Sequence, residues 1–132
     1  MLAASLSENL GWGLLVICDS GADFQNLPDE TPGSGHGRPY FVSSEDAILV
    51  SVQHGSDGDV DARLWTAQED WGRHGAVELG VTSISLPSGV VVMCDVLQEK
   101  TTEAVLDPGE YRLQINADEA VNAAVIDFVL VK

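Results

Sequence analysis

The hexapeptide Leu106-Asp107-Pro108-Gly109-Glu110-Tyr111 narrows the choice of fold more than any other part of the chain. Proline presets φ at the first position of a turn, and Gly109 accepts the positive φ that a type II turn then requires. Tyr111 opens the alternating run YRLQIN just beyond that glycine. At this spacing its ring packs inward and its hydroxyl reaches back to the upstream backbone, as in the tyrosine corner of Greek-key sandwiches. Leu106, Pro108, Gly109 and Tyr111 are therefore assigned structural roles.

The rest of the pattern agrees with a β fold. In AILVSVQ, Ile48, Val50 and Val52 share one face; in VDARLWTA, Val60, Ala62 and Leu64 oppose Asp61, Arg63 and Trp65. Tyr111, Leu113 and Ile115 alternate in the same way with Arg112, Gln114 and Asn116. A period of two marks half-buried strands. VELGVTSISL, GVVVMCDVL and AVIDFVLVK are β-rich, and GWGLLVIC and PYFV complete a set of seven or eight strands. HGSDGD, with Gly55, Asp57 and Gly58, reads as a hairpin tip, and LPSG as a further turn. SSEDA resembles a short helix start, TAQEDWGRHG can hold one helical turn, and ADEAVNAA fits a loop or a single turn. The stretch 21–39, rich in proline and glycine, is an irregular loop that is either functional or mobile. The expectation is an all-β antiparallel sandwich of Greek-key or jelly-roll type, one domain spanning residues 1–132.

Twenty-one acidic residues face six basic ones, for a formal charge of −15. A surface of that sign repels nucleic acid and anionic lipid and attracts a basic protein. The same charge also serves solubility alone, so two readings stay open at this level. The apolar stretch Leu10–Cys18 is too short to span a bilayer, and MLAASLSEN lacks the basic start of a signal peptide. A cytoplasmic protein is expected. Cys18 and Cys94 lie in the apolar runs LLVIC and VVVMC, where buried free thiols are expected.

No motif supplies catalysis. His36, His54 and His74 stand far apart, no cysteine pair has zinc spacing, and GSGHG lacks the lysine of a phosphate loop. Asp57-Gly58-Asp59-Val60-Asp61 resembles the start of a calcium loop, but Ala62 replaces the required glycine and Gln68 the distal glutamate. No catalytic residue, metal or cofactor is assigned. Trp65 beside Asp61 and Arg63, and Trp71 after Glu69 and Asp70, combine aromatic area with charge, as partner anchors do. They could equally be packed at a sheet edge.

From EDAILVSVQHGSDGDVDARLWTAQEDW through VELGVTSISLPSG to LDPGEYRLQI, the chain resembles a family of small bacterial β-sandwich proteins. That family includes nuclease inhibitors of the competence protein J type. The features shared are strand order, Trp71 followed by the strand holding Val77 and Glu78, the Pro-Ser-Gly turn and the tyrosine corner. The resemblance implies the sandwich, and with it an inhibitor-like role. The leading functional expectation is a non-catalytic acidic protein that binds a basic enzyme through Asp57, Asp59, Asp61, Glu69 and Asp70, with Trp65 and Trp71 as apolar anchors. The alternatives are a small-ligand or carbohydrate-binding module, and a structural or oligomeric protein without a ligand.

Overall fold

The computed structural model describes residues 1–24, 27, 28, 32 and 39–132, so His36 and much of the 21–39 loop lie outside the described residues. In chain order the strands are β1 (Leu2–Glu8), β2 (Leu14–Asp19), β3 (Phe41–Ser43), β4 (Ala47–Ser51) and β5 (Val60–Trp65). They continue with β6 (Val77–Leu86), β7 (Val90–Cys94), β8 (Thr101–Val105), β9 (Gly109–Ala117) and β10 (Val125–Val131). Two five-stranded sheets result: a front sheet ordered β1-β5-β10-β9-β6 and a back sheet ordered β3-β4-β2-β7-β8.

The all-β expectation holds, but its strand count and uniform antiparallel pairing do not. Ten strands are present among the described residues, and β10 runs parallel to β5. The two strands missing from the sequence reading, β1 and β8, are edge strands of their sheets. Thr101, Glu103 and Val105 of β8 are all exposed, so little apolar alternation marks that segment.

Alternation sets the core. Ile48, Val50 and Val52 face Val60, Ala62, Leu64, Leu113 and Ile115 across one buried layer shared by both sheets. The opposite residues of the back sheet, Val16, Cys18, Leu49 and Cys94, form a second apolar cluster with Ala47. Both edges of the sandwich are approached by the other sheet. β1 packs beside β8. At the other edge Phe41 lies on Gly80, where a Cβ would stand 2.5 Å from the ring.

Two connections differ from their expected form. HGSDGD is not a hairpin tip, because β4 belongs to the back sheet and β5 to the front; residues 52–59 cross between layers. Turn chemistry specifies a change of direction and not the strand that receives the chain. SSEDA forms no helix. It closes the β3–β4 hairpin instead, with the Ser44 amide donating to the Ala47 carbonyl at 2.8 Å.

At the corner, Tyr111 is buried and its hydroxyl donates to the Asp107 carbonyl at 2.5 Å. Gly109 has φ +143°, so the turn is glycine-dependent without being type II. The Leu106 amide also donates to the Gly89 carbonyl at 2.6 Å, which ties the corner to the Leu86–Gly89 turn. Tyr111→Phe is therefore expected to lower stability by about 1 kcal/mol, read as a lower denaturant midpoint. An unchanged midpoint would show that the hydroxyl contributes nothing to the corner.

Candidate functional site

The outward side chains of β5 do not stand free. Asp127, alone among apolar neighbours in β10, is fully buried and pairs in register with Arg63. Arg63 donates to both carboxylate oxygens of Asp127, Nε at 2.8 Å and Nη2 at 2.9 Å. Trp65 Nε1 donates to the same carboxylate at 2.8 Å. The bond to Asp127 raises the Arg63 pKa above its ordinary value. This bidentate geometry fixes the guanidinium in one plane.

Residues 66–76 then fold over the outer face of the front sheet. The segment includes a 3₁₀ turn at Gln68–Asp70, within the stretch expected to hold one helical turn. The His74 ring stacks on Trp65, with centroids 3.7 Å apart and planes 7° from parallel. The Arg112 guanidinium lies 4.7 Å from the centre of the Trp71 ring. The Gly72 amide donates to Gln114 Oε1 at 2.8 Å, Asn116 donates to the same oxygen, and Gln114 Nε2 donates to Glu78. Among the described residues no buried side-chain polar atom lacks a partner. Trp65 and Trp71 are half-buried, and the contacts they make are internal.

Asp70 is likewise turned inward. Its carboxylate accepts hydrogen bonds from the Met1 ammonium, from His74 Nε2 at 3.1 Å and from the Ala67 amide at 3.1 Å. Burial by itself would raise its pKa, but these donors outweigh it and hold the group at about 2, below the ordinary 3.8. A depressed carboxylate contributes stability above its unfolded pKa and loses it as pH falls through the folded value. The stability gap between the protein and its Asp70→Asn variant should therefore be full above pH 4 and shrink towards about pH 2. Urea midpoints of both proteins across that range test this; a gap independent of pH would refute it.

The carboxylates expected to act together fall into two groups. Asp57 and Asp59 are exposed on the 52–59 crossover, and Asp61 at the start of β5 accepts a bond from Ser7 Oγ at 2.9 Å. Glu69, exposed, and Asp70 follow the far end of β5. At about 3.3 Å per residue the six-residue strand separates the groups by roughly 16 Å. Among the described residues, no group of three or more His, Cys, Asp or Glu side chains is arranged to hold a metal.

Asp57 and Asp59 have a different neighbour, which the sequence reading did not single out. Register places the β1–β2 turn, the 52–59 crossover, the β7–β8 loop and the β9–β10 loop at one end of the sandwich. Hydrogen bonds tie them together. Asn9 Nδ2 donates to the Gly55 carbonyl at 2.7 Å, Lys100 Nζ to the Asn9 carbonyl at 2.6 Å and the Gln53 amide to the Ala123 carbonyl at 2.9 Å. From this end projects Trp12, 67% exposed. Its flanking glycines were the available signal, since Gly11-Trp12-Gly13 cannot belong comfortably to a strand interior.

A cavity of about 260 Å³ opens on the outer face of the back sheet, lined by residues that include Cys18, Cys94, Phe24, Val92 and Glu103. Both thiols are free and buried, as expected, and they adjoin one another, which spacing could not reveal. Their mutual hydrogen bond pushes Cys18 up and pulls Cys94 down. Among the described residues, the lining contains no histidine, lysine or arginine to act as a partner for a thiolate.

No family model matches the chain, and no curated protein matches it significantly. Two solved structures share its fold. ComJ of Bacillus subtilis, described as an inhibitor of the DNA degrading activity of NucA, superposes with a TM-score of 0.75 at 8% identity. The superposition covers 100% of this chain and 97% of ComJ. A protein described as crocagin biosynthetic gene J superposes with a TM-score of 0.50 at 14% identity, covering 97% of this chain and 96% of its own. The resemblance to the competence protein J type is thus a resemblance of fold along the whole chain.

Proposed function

We propose that the protein is a non-catalytic acidic binding protein that restrains a basic enzyme, a nuclease being the leading case. The observation that carries this reading is the end-to-end fold likeness to a nuclease inhibitor. The formal charge of −15 supplies a physical route, in which carboxylates occupy the phosphate positions of a basic cleft. Asp57, Asp59 and Asp61 are the carboxylates best placed for contact, with Glu69 on a separate patch. Trp65, Asp70 and Trp71 hold the surface in shape from beneath. The protein acts in the cytoplasm as a single domain.

The test is a pull-down from the native cytosol, followed by binding kinetics with the recovered basic nuclease at low and high salt. Association should slow by about tenfold or more at high salt, because long-range charge steers the encounter. Neutralising Asp57, Asp59 and Asp61 together should slow it comparably at low salt and leave the unfolding midpoint nearly unchanged, since none is a core residue. Recovery of no basic partner, or kinetics indifferent to salt and to the triple substitution, would refute the proposal.

A further inference from the structure

We infer that the contact surface is centred on Trp12, at the loop end of the sandwich, and that a basic protein covers this end. The inference rests on the protein-binding reading above and names the surface that performs it.

Of the three tryptophans, Trp65 and Trp71 are engaged by His74 and Arg112, while Trp12 remains two-thirds open. A tryptophan offers roughly 150–250 Å² of contact area, and such rings dominate interface energetics when a partner desolvates them. The indole is carried on a fixed support. The Gly13 amide donates to the Leu10 carbonyl at 3.0 Å, with Gly13 at φ +67°, and the Val52 amide donates to the Gly13 carbonyl at 3.0 Å. Backbone approaches backbone beneath it: a Cβ on Gly55 would stand 2.9 Å from the Gly11 Cα. An anchor held out by a rigid turn loses little freedom on binding, which is the benefit of preorganisation.

The surroundings select the partner. Leu97 and Val121, 56% and 46% exposed, extend the apolar surface of the same end. Exposed Asp57, Asp59, Glu99 and Glu119 lie on the same four connections. The one lysine or arginine there is Lys100, half-buried, with its ammonium on the Asn9 carbonyl. An apolar centre with a polar rim is the anatomy of a protein interface, and the sign of this rim calls for a cationic occupant. Nucleic acid and anionic membranes carry the sign of the rim itself and are repelled.

The test introduces the photo-cross-linker p-benzoylphenylalanine at position 12, at position 121, and at position 105 as a control. Val105 is 78% exposed on β8 and lies at the opposite end of the sandwich. Cells of the source organism expressing each full-length variant are irradiated, and adducts are identified by mass spectrometry. Positions 12 and 121 should yield one dominant adduct to a protein of pI above about 9, roughly tenfold stronger than from position 105. Combining Asp57→Asn with Asp59→Asn should abolish it. With that partner purified, Trp12→Ala should speed dissociation by about thirtyfold. A basic adduct from position 105 and none from position 12 would overturn the inference and leave the protein-binding reading intact. Adducts only to acidic proteins, or a Trp12→Ala dissociation rate equal to the parent's, would overturn it as well. Absence of any basic adduct at all three positions, together with an empty pull-down, would defeat both.

Discussion

Replacing Asp127 with alanine is expected to destabilise the protein by about 3–5 kcal/mol, a large fraction of the stability of a domain this size. The carboxylate is fully buried and accepts three hydrogen bonds, two from Arg63 and one from Trp65. Alanine leaves all three donors without an acceptor beneath the covering segment 66–76. Arg63 keeps some access to water, with its side chain 35% exposed, so part of its charge is resolvated. Trp65 has less freedom, because His74 stacks against it. The loss should come from breaking the pair and not from the pair's own net strength, since buried ion pairs often contribute little over apolar replacements. Asp127→Val combined with Arg63→Met should therefore recover a substantial part of the loss. Urea unfolding of the single and double variants decides the matter. A single variant within about 1 kcal/mol of the parent would show that the network is incidental to stability.

The adjacent residue tests the other face of the same strand. Phe128→Ala should cost about 3–5 kcal/mol through lost burial and the cavity left behind. Phe128 is among the largest fully buried side chains, in register with Leu64 on β5 and Ile115 on β9. Its strand has hydrogen-bonded neighbours on both sides, so the backbone has little freedom to collapse into the void. Phe128→Leu should lose markedly less, because it retains most of the buried volume. Equal midpoints for the alanine and leucine variants would indicate that the core relaxes around the site.

Much of the fold was legible because burial in a strand repeats every second residue. Each residue assigned inward in the three alternating runs, from Ile48 through Leu64 to Ile115, lies in the shared core. What alternation cannot encode is the destination of a connection. The 52–59 segment has the composition of a hairpin tip and yet passes between sheets. Edge strands such as β8 were obscure for a related reason, since a segment with little buried surface carries little apolar signal. The site was less legible than the fold. Arg63 and Asp127 lie 64 residues apart and meet only through a parallel pairing. The lone aspartate in AVIDFVLVK was the available sign, because a charge in an apolar strand requires a partner. Exposure of the tryptophans depended on what folds over each ring. Residues 66–76 cover Trp65, whereas the short turn carrying Trp12 leaves it open.

The position of β10 governs when the fold can exist. It follows the other nine strands found among the described residues but sits third in the front sheet, between β5 and β9. Before residues 125–131 have been synthesised, the front sheet amounts to two separate ribbons, β1 with β5 and β9 with β6. Each ribbon has an unpaired edge, and Leu64 and Leu113 lack the strand that will lie between them. Assembly then depends on one late strand finding two partners at once, one of them about sixty residues upstream. A nascent chain of this kind stays adhesive until its last strand is available, and then gains both halves of its front sheet in a single event.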